Sequence, residues 1–146
     1  MMIDWYIEQV FAARTWKLRK EVFSAKGNLS EVMLDEDFEA SHFAAYSIDD
    51  VIGILTLRRS GDAYEILYFA VHPDFRNLGA GSALLRYAQQ FVHTVGGNQL
   101  YVRPPVDQSD FWIKRGYSPL MESGKIAIFV YHLKGDVLQD ENGTQR

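Results

Sequence analysis

The chain has no cysteine, only four prolines and no surplus of basic residues. Without cysteine there can be no disulfide scaffold, thiolate metal site or cysteine nucleophile, which fits a reducing compartment and makes cytoplasm the expected localisation. No apolar run approaches the roughly 18–20 residues of a spanning helix. The start, Met1-Met2-Ile3-Asp4-Trp5, lacks the basic and apolar regions of a secretory signal, so a soluble, unprocessed protein is expected. Fifteen Lys and Arg against nineteen Asp and Glu give a net charge of −4. A nucleic-acid backbone is bound by clustered cations, so neither nucleic acid nor a membrane is an expected partner.

The remaining composition is that of a globular domain, with 146 residues, 47% hydrophobic and 23% charged. We expect one domain over residues 1–135 and a polar, frayed tail over 136–146. Phe11, Thr15, Leu18 and Val22 recur at helical spacing and predict a helix ending near Gly27-Asn28. Its basic residues Arg14, Lys17, Arg19 and Lys20 form no single stripe and read as a solvated surface. Ser30 to Ala40, rich in Asp and Glu, reads as a short helix or an acidic loop.

His42–Ile48 and Val51–Arg58 flank Asp49-Asp50 and predict a hairpin. Tyr64–Val71 is apolar apart from Glu65, the pattern of a central strand, and His72-Pro73-Asp74 ends it. Leu84, Ala88, Phe91 or Val92, and Val95 predict a helix running to Gly96-Gly97. A strand at Leu100–Val102, a helix at Asp107–Arg115 and a hairpin of Tyr117–Met121 with Ile126–Leu133 complete the order. The class is α/β, a central twisted mixed sheet with helices on both faces. Ile126–Leu133 is a candidate edge strand that could pair across a homodimer, so monomer and homodimer both stay open.

The chemistry-bearing stretch is Arg76-Asn77-Leu78-Gly79-Ala80-Gly81-Ser82, between the central strand and a helix start. Such a loop presents free backbone N–H groups and the positive end of a helix dipole to one point, which suits an anion. Gly79 and Gly81 leave room for a phosphate and permit positive φ, and Arg76 adds charge. On the glycines alone, a tight turn that packs the helix closely on the sheet reads equally well. A phosphate-binding loop ending Gly-Lys-Ser/Thr is not matched, since Gly81-Ser82 lacks the lysine. A dinucleotide fingerprint is not matched either, because Val102-Arg103 stands where its acid belongs.

The run Glu65-Ile66-Leu67-Tyr68-Phe69-Ala70-Val71-His72-Pro73-Asp74-Phe75-Arg76-Asn77-Leu78-Gly79-Ala80-Gly81-Ser82-Ala83-Leu84-Leu85 resembles the coenzyme motif of the GNAT superfamily of acyl-CoA-dependent N-acyltransferases. Phe111-Trp112-Ile113-Lys114-Arg115-Gly116-Tyr117 is similar to that family's Phe-Tyr-x-x-x-Gly-Phe, and Leu18–Phe23 to its first helix. The resemblance implies a GNAT-like fold with acetyl-CoA as cosubstrate and no metal. It implies that the backbone of Phe69, Ala70 and Val71 on a splayed strand holds the pantetheine arm. It also implies that the pyrophosphate lies on the amides of Asn77, Leu78, Gly79, Ala80, Gly81 and Ser82, beside Arg76.

Attack on a thioester needs a neutral amine, yet an alkylamine of pKa about 10.4 is protonated at neutral pH, so a base is required. Glu65, the one charge in an apolar strand, is the candidate: desolvation would raise its pKa toward general-base work. The resemblance to some histone-modifying members implies the same role. The alternative is an exposed Glu65, or one paired with an arginine such as Arg58. The backbone N–H of Val71 is the expected oxyanion donor.

Where the family often has an acidic tyrosine this chain has Trp112, whose indole can donate a hydrogen bond to sulfur but not deliver a proton. Losing that acid costs up to about 10² to 10⁴ in rate. Water or Ser109 could replace it, and Pro105 stands near the family's asparagine.

His42, His72, His93 and His132 lack zinc-ligand spacing and read as structural or surface residues. Asp35, Glu36, Asp37 and Glu39 fall where, by the resemblance, a variable region covers the acceptor entrance, and a cationic acceptor would be steered there. A solvated acidic loop is the alternative. The expected activity is acetyl transfer from acetyl-CoA to a small-molecule amine or protein amino group by direct attack. The rival from another class is an acyl-CoA-binding sensor without turnover.

Overall fold

The computed structural model describes residues 5–124 and 126–133; the expected tail over 136–146 lies outside them. The elements in chain order are β1 (Tyr6–Val10), α1 (Ala13–Phe23), β2 (Ser41–Ser47), β3 (Asp50–Ser60), β4 (Ala63–Val71), α2 (Ala80–Thr94), β5 (Gln99–Val102), α3 (Ser109–Ile113), β6 (Ser118–Ser123) and β7 (Ile126–His132). The seven strands form one mixed sheet in the order β1-β2-β3-β4-β5-β7-β6, which confirms the expected class. Within it the chain divides into two compact units, one holding the chain up to Arg59 with Ile66–Ala88, the other Ser60–Glu65 with the chain from Gln89.

In the first unit, β1 and β3 both run antiparallel to β2, with His42 opposite Val10 and Thr56, and Phe43 opposite Leu55. Alternation sends successive side chains to opposite faces. One face carries Phe43, whose ring meets Tyr87 of α2 at 5.4 Å. On that face a Cβ at Gly53 would stand 2.8 Å from Leu84 Cδ1, so glycine here leaves room for the Leu84 side chain of α2 against the sheet. The other face buries Ile54 and Ala70 against Leu18 of α1.

Three expectations are corrected here. β1 was not foreseen, because only Ile7 and Val10 of its five residues are even half-buried and no alternation marks it. Helix α1 ends at Phe23, before the expected Gly27, because Ser24 leaves helical geometry while its N–H still caps Lys20 O. Phe11 precedes the helix and is 88% exposed rather than part of the buried stripe. The acidic stretch holds two single-turn helices, Leu29–Glu31 and Asp35–Phe38.

In the second unit, β7 pairs antiparallel with β5 (Leu100 opposite Tyr131) and with β6 (Ser118 opposite Val130). It therefore lies inside the sheet, which overturns the expectation that Ile126–Leu133 is an edge. Pairing on both sides leaves β7 without the open edge that a neighbouring chain would extend. Trp112 of α3 meets Phe111 and Tyr117 edge-on at 5.1 and 5.0 Å, and Tyr117 packs on Tyr131 at 5.2 Å. Among the described residues no helix is long and apolar enough to cross a membrane.

Candidate active site

Strand β4 stops where His72, followed by Pro73, sends its N–H to Ile52 O at 2.7 Å and its Nδ1 accepts from Asp74 N at 3.1 Å. The chain then turns through Asn77 and Gly79, both at positive φ (65° and 97°). Helix α2 begins at Ala80, and the Ala83 N–H donates to Gly79 O at 3.1 Å. The amides of Ala80, Gly81 and Ser82 thus belong to the first turn, which has no intrahelical acceptor for them. No acidic side chain stands in that turn to neutralise the positive end of the dipole. Arg76 is exposed and tethered, its Nε donating to Val71 O at 2.9 Å.

The two glycines serve different ends. At Gly79 a Cβ would meet nothing within 4 Å, so glycine is needed for its left-handed backbone. Gly81 is not at positive φ; there a Cβ would lie 3.3 Å from Phe69 Cζ and 3.4 Å from Val71 Cγ2, so its role is close approach of α2 to β4. Of the two residues expected to permit positive φ only Gly79 uses it, and Asn77 supplies the second such position. Open space over Gly79, the first-turn amides and an exposed arginine in the same turn, tethered at the end of β4, fit an anionic diphosphate.

Glu65 is on β4, with a side chain 14% exposed, and its Oε2 accepts from Arg103 Nε at 2.9 Å. The arginine partner considered from sequence, Arg58, instead binds Glu36 at 2.8 Å. The sequence marks Arg103 only as standing where a dinucleotide fingerprint has its acid, and nothing local to it signals Glu65 as its partner. Trp112 is buried, 3% exposed. Ser109 Oγ donates to Val106 O at 2.6 Å, and the Tyr117 hydroxyl accepts from Gln89 Nε2 at 3.2 Å. Burial pushes the Tyr117 phenol well above its ordinary pKa.

The first unit also holds a buried polar cluster that the sequence reading missed. Arg19, expected on a solvated surface, is fully buried; its Nη1 and Nη2 bind the two Asp37 oxygens at 2.9 and 3.0 Å. Nη1 also reaches Val32 O and Nη2 reaches Thr56 Oγ1, both at 2.8 Å. Asp37 Oδ2 accepts further bonds from Trp16 Nε1 and Leu34 N. Burial works to raise the Asp37 pKa, but the bonds from Arg19, Leu34 N and Trp16 outweigh it and hold the carboxyl below its usual range.

His42 Nε2 lies 2.8 Å from Asp37 O, and a carbonyl only accepts, so Nε2 carries the proton. Nδ1 is then the acceptor facing the Thr56 hydroxyl at 2.9 Å. Burial and the nearby Arg19 charge lower the His42 pKa against the opposing Asp37 carbonyl bond. Asp37, His42 and Trp16 line an open cleft of about 570 Å³ together with Phe11 and Phe38, which are 88% and 87% exposed. With Asp37 internal and Glu36 paired, the expected acidic patch is reduced to Asp35 and Glu39. Among the described residues no group of His, Asp or Glu could hold a metal ion.

The sequence pattern of the Acetyltransferase (GNAT) family matches residues 2–117. An uncharacterized N-acetyltransferase of Brevibacillus brevis is 25% identical over 111 residues, covering 68% of each chain. The ribosomal-protein-S18-alanine N-acetyltransferase of Escherichia coli superposes with a TM-score of 0.74 at 12% identity, over 94% of this chain and 100% of that one. The PaiA N-acetyltransferase of Thermoplasma acidophilum, solved with coenzyme A, gives 0.67 at 13% identity over 89% and 99%.

Proposed function

The chain belongs to the GNAT acetyltransferase family, and from that premise we propose that it transfers an acetyl group from acetyl-CoA to a primary amine by direct attack, without an acyl-enzyme. The observation that carries this reading is the turn from Arg76 into α2, with two left-handed residues, first-turn amides and no acid in that first turn. The diphosphate rests on the amides of Asn77, Leu78, Gly79, Ala80, Gly81 and Ser82, beside Arg76. Phe69, Ala70 and Val71 offer backbone groups to the pantetheine arm. The PaiA neighbour, solved with coenzyme A, supports the same ligand class.

Glu65 takes the ammonium proton, directly or through water, and the amine then attacks the thioester carbonyl. Arg103, 57% exposed, can yield the carboxylate it holds. The Val71 N–H stabilises the oxyanion of the tetrahedral adduct; its collapse breaks the C–S bond, and the second proton of the attacking nitrogen passes to water or to the departing thiolate. A thiol of pKa about 8.5 leaves as thiolate without a side-chain acid. No acid role is then asked of Trp112, which does not ionise near neutral pH, of Ser109, which donates to a carbonyl, or of Tyr117, whose proton is held tightly.

The acceptor, a small-molecule amine or a protein amino group, approaches the cleft walled by Phe11 and Phe38. Two phenylalanines this exposed around a concave surface favour a binding role. The protein works in the cytoplasm, as a monomer or homodimer. Calorimetry with CoA, followed by thiol release from acetyl-CoA over spermidine, tyramine and an alanine-initiated hexapeptide, tests the reading. Binding with release on at least one amine is expected; no heat with CoA on folded protein would sink it, and tight binding with no release would favour the sensor.

A further inference from the structure

Burying a guanidinium and a carboxylate is costly, and apolar residues of similar size commonly stabilise a core as well or better. Arg19 therefore needs an explanation beyond stability, and its partners supply one. From the middle of α1 it bonds to Val32 O, just after the first single-turn helix, and to both oxygens of Asp37, within the second. It also reaches Thr56 on β3 and lies 3.4 Å from His42 Nδ1 on β2. Its guanidinium carbon sits 4.3 Å above the ring of Tyr68 on β4, which Phe23 of α1 also touches, with centroids 5.2 Å apart.

Two features give these contacts a functional direction. Asp37 and His42 lie buried at the floor of the open cleft whose exposed walls include Phe11 and Phe38, so Arg19 braces the layer beneath the surface that an incoming molecule meets. Tyr68 precedes Phe69, and alternation along β4 sets Tyr68 on the α1 side while Phe69 and Val71 lie beneath Gly81. One rigid, planar, multiply bonded group thus references the 32–38 segment against the Tyr68–Val71 stretch. A lysine would keep the charge but lose the fork.

We propose that Arg19 is a positioning residue that holds the Asp37–His42 floor of the acceptor cleft in register with β4, and so governs acceptor affinity without touching acetyl-CoA. Its kinetic consequence rests on the acetyl-transfer reading, whereas its structural consequence does not.

The test uses Arg19→Lys and the apolar pair Arg19→Met with Asp37→Leu, which removes the fork without stranding a charge. Thermal unfolding shows that the pair variant folds. We expect its CoA affinity to stay within twofold of wild type while KM for the best amine of spermidine, tyramine and the hexapeptide rises at least tenfold and kcat changes less. Hydrogen exchange, which needs no turnover, should quicken at least tenfold both in residues 32–38 and at the Tyr68–Val71 amides. Arg19→Lys should fall between wild type and the pair variant on both readouts. Unchanged exchange in a folded pair variant overturns the proposal, as does a KM change shared equally by acetyl-CoA and amine. Wild-type protein that binds no CoA defeats the transferase reading instead, and the exchange result still decides the Arg19 proposal.

Discussion

Arg19 and Asp37 meet as a fork, two nitrogens on two oxygens at 2.9 and 3.0 Å, with neither side chain exposed. Removing the guanidinium alone leaves a carboxylate inside the protein with its charge uncompensated. Arg19→Met should therefore lower unfolding free energy by about 3–5 kcal/mol, while adding Asp37→Leu recovers most of the loss. Urea titrations at neutral pH measure both; a single-variant loss below about 1 kcal/mol would contradict the geometry.

The same cluster sets an acid limit. His42 and Asp37 both have folded pKa values below their ordinary ones, His42 through burial and Asp37 because its hydrogen bonds outweigh burial. Between the folded and unfolded values the unfolded chain binds more protons, so stability is full above the unfolded pKa and is lost as pH falls toward the folded one. The melting temperature should begin to fall below about pH 6.5 as His42 comes into play, and fall more steeply below about pH 4 with Asp37. His42→Gln should flatten the first decline while leaving the second. A melting temperature that rises between pH 7 and pH 5 would refute the assignment.

The contrast between Gly79 and Arg19 shows what the sequence could and could not disclose. The loop was legible because its information is local: strand, glycine spacing and helix start are contiguous, and Gly79 does adopt the left-handed backbone its type permits. The hairpin of β2 and β3 was legible too, but its register was not: the turn falls on Ile48-Asp49, with Asp50 already paired to Ser47, and an irregularity at Ala45/Tyr46 shifts the pairing. Arg19 was misread because helix periodicity registers a charge as solvent-facing, and nothing within one turn of it reveals Asp37, Thr56 and Tyr68. β7 was misplaced for a related reason: whether a strand lies at an edge depends on which strands pair, and β6 doubles back outside it. Asp37 shows the same limit, being the member of an acidic run that points inward.

Phe38 is 87% exposed, so replacing it disturbs little of the fold. Phe38→Ser should change stability by no more than about 0.5 kcal/mol. If the cleft seats the acceptor, losing an aromatic wall should raise KM for an amine with an apolar body, tyramine, by about tenfold, while KM for acetyl-CoA holds. Steady-state kinetics with both substrates varied separates these, and equal effects on the two would remove Phe38 from the acceptor site.

The division of labour between the glycines predicts two different failures. Gly79→Ala meets no atom but forces a side chain onto left-handed backbone at a cost of about 1–2 kcal/mol. That cost appears as a lower melting temperature if the loop keeps its shape, or as weaker CoA binding if it relaxes. Gly81→Val instead wedges α2 away from Phe69 and Val71, which should weaken CoA binding whatever its effect on melting. Calorimetry with CoA alongside thermal melts tells them apart. Wild-type affinity in both variants would mean that the first turn of α2 does not hold the diphosphate.

Glu65 carries the sharpest kinetic expectation. Glu65→Gln keeps the shape and the hydrogen bond from Arg103 but cannot take a proton, so kcat should fall by about 10² to 10⁴ while CoA affinity stays unchanged. Because the lost function is deprotonation of the ammonium, raising the pH should restore part of the rate in Glu65→Gln, as more amine enters the site already neutral. Arg103→Met is the matched control: it dissolves the ion pair and leaves the carboxylate in place, so most activity should persist. If Arg103→Met is as damaged as Glu65→Gln and its rate fails to recover at high pH, Glu65 acts as a strut for Arg103 rather than as the base.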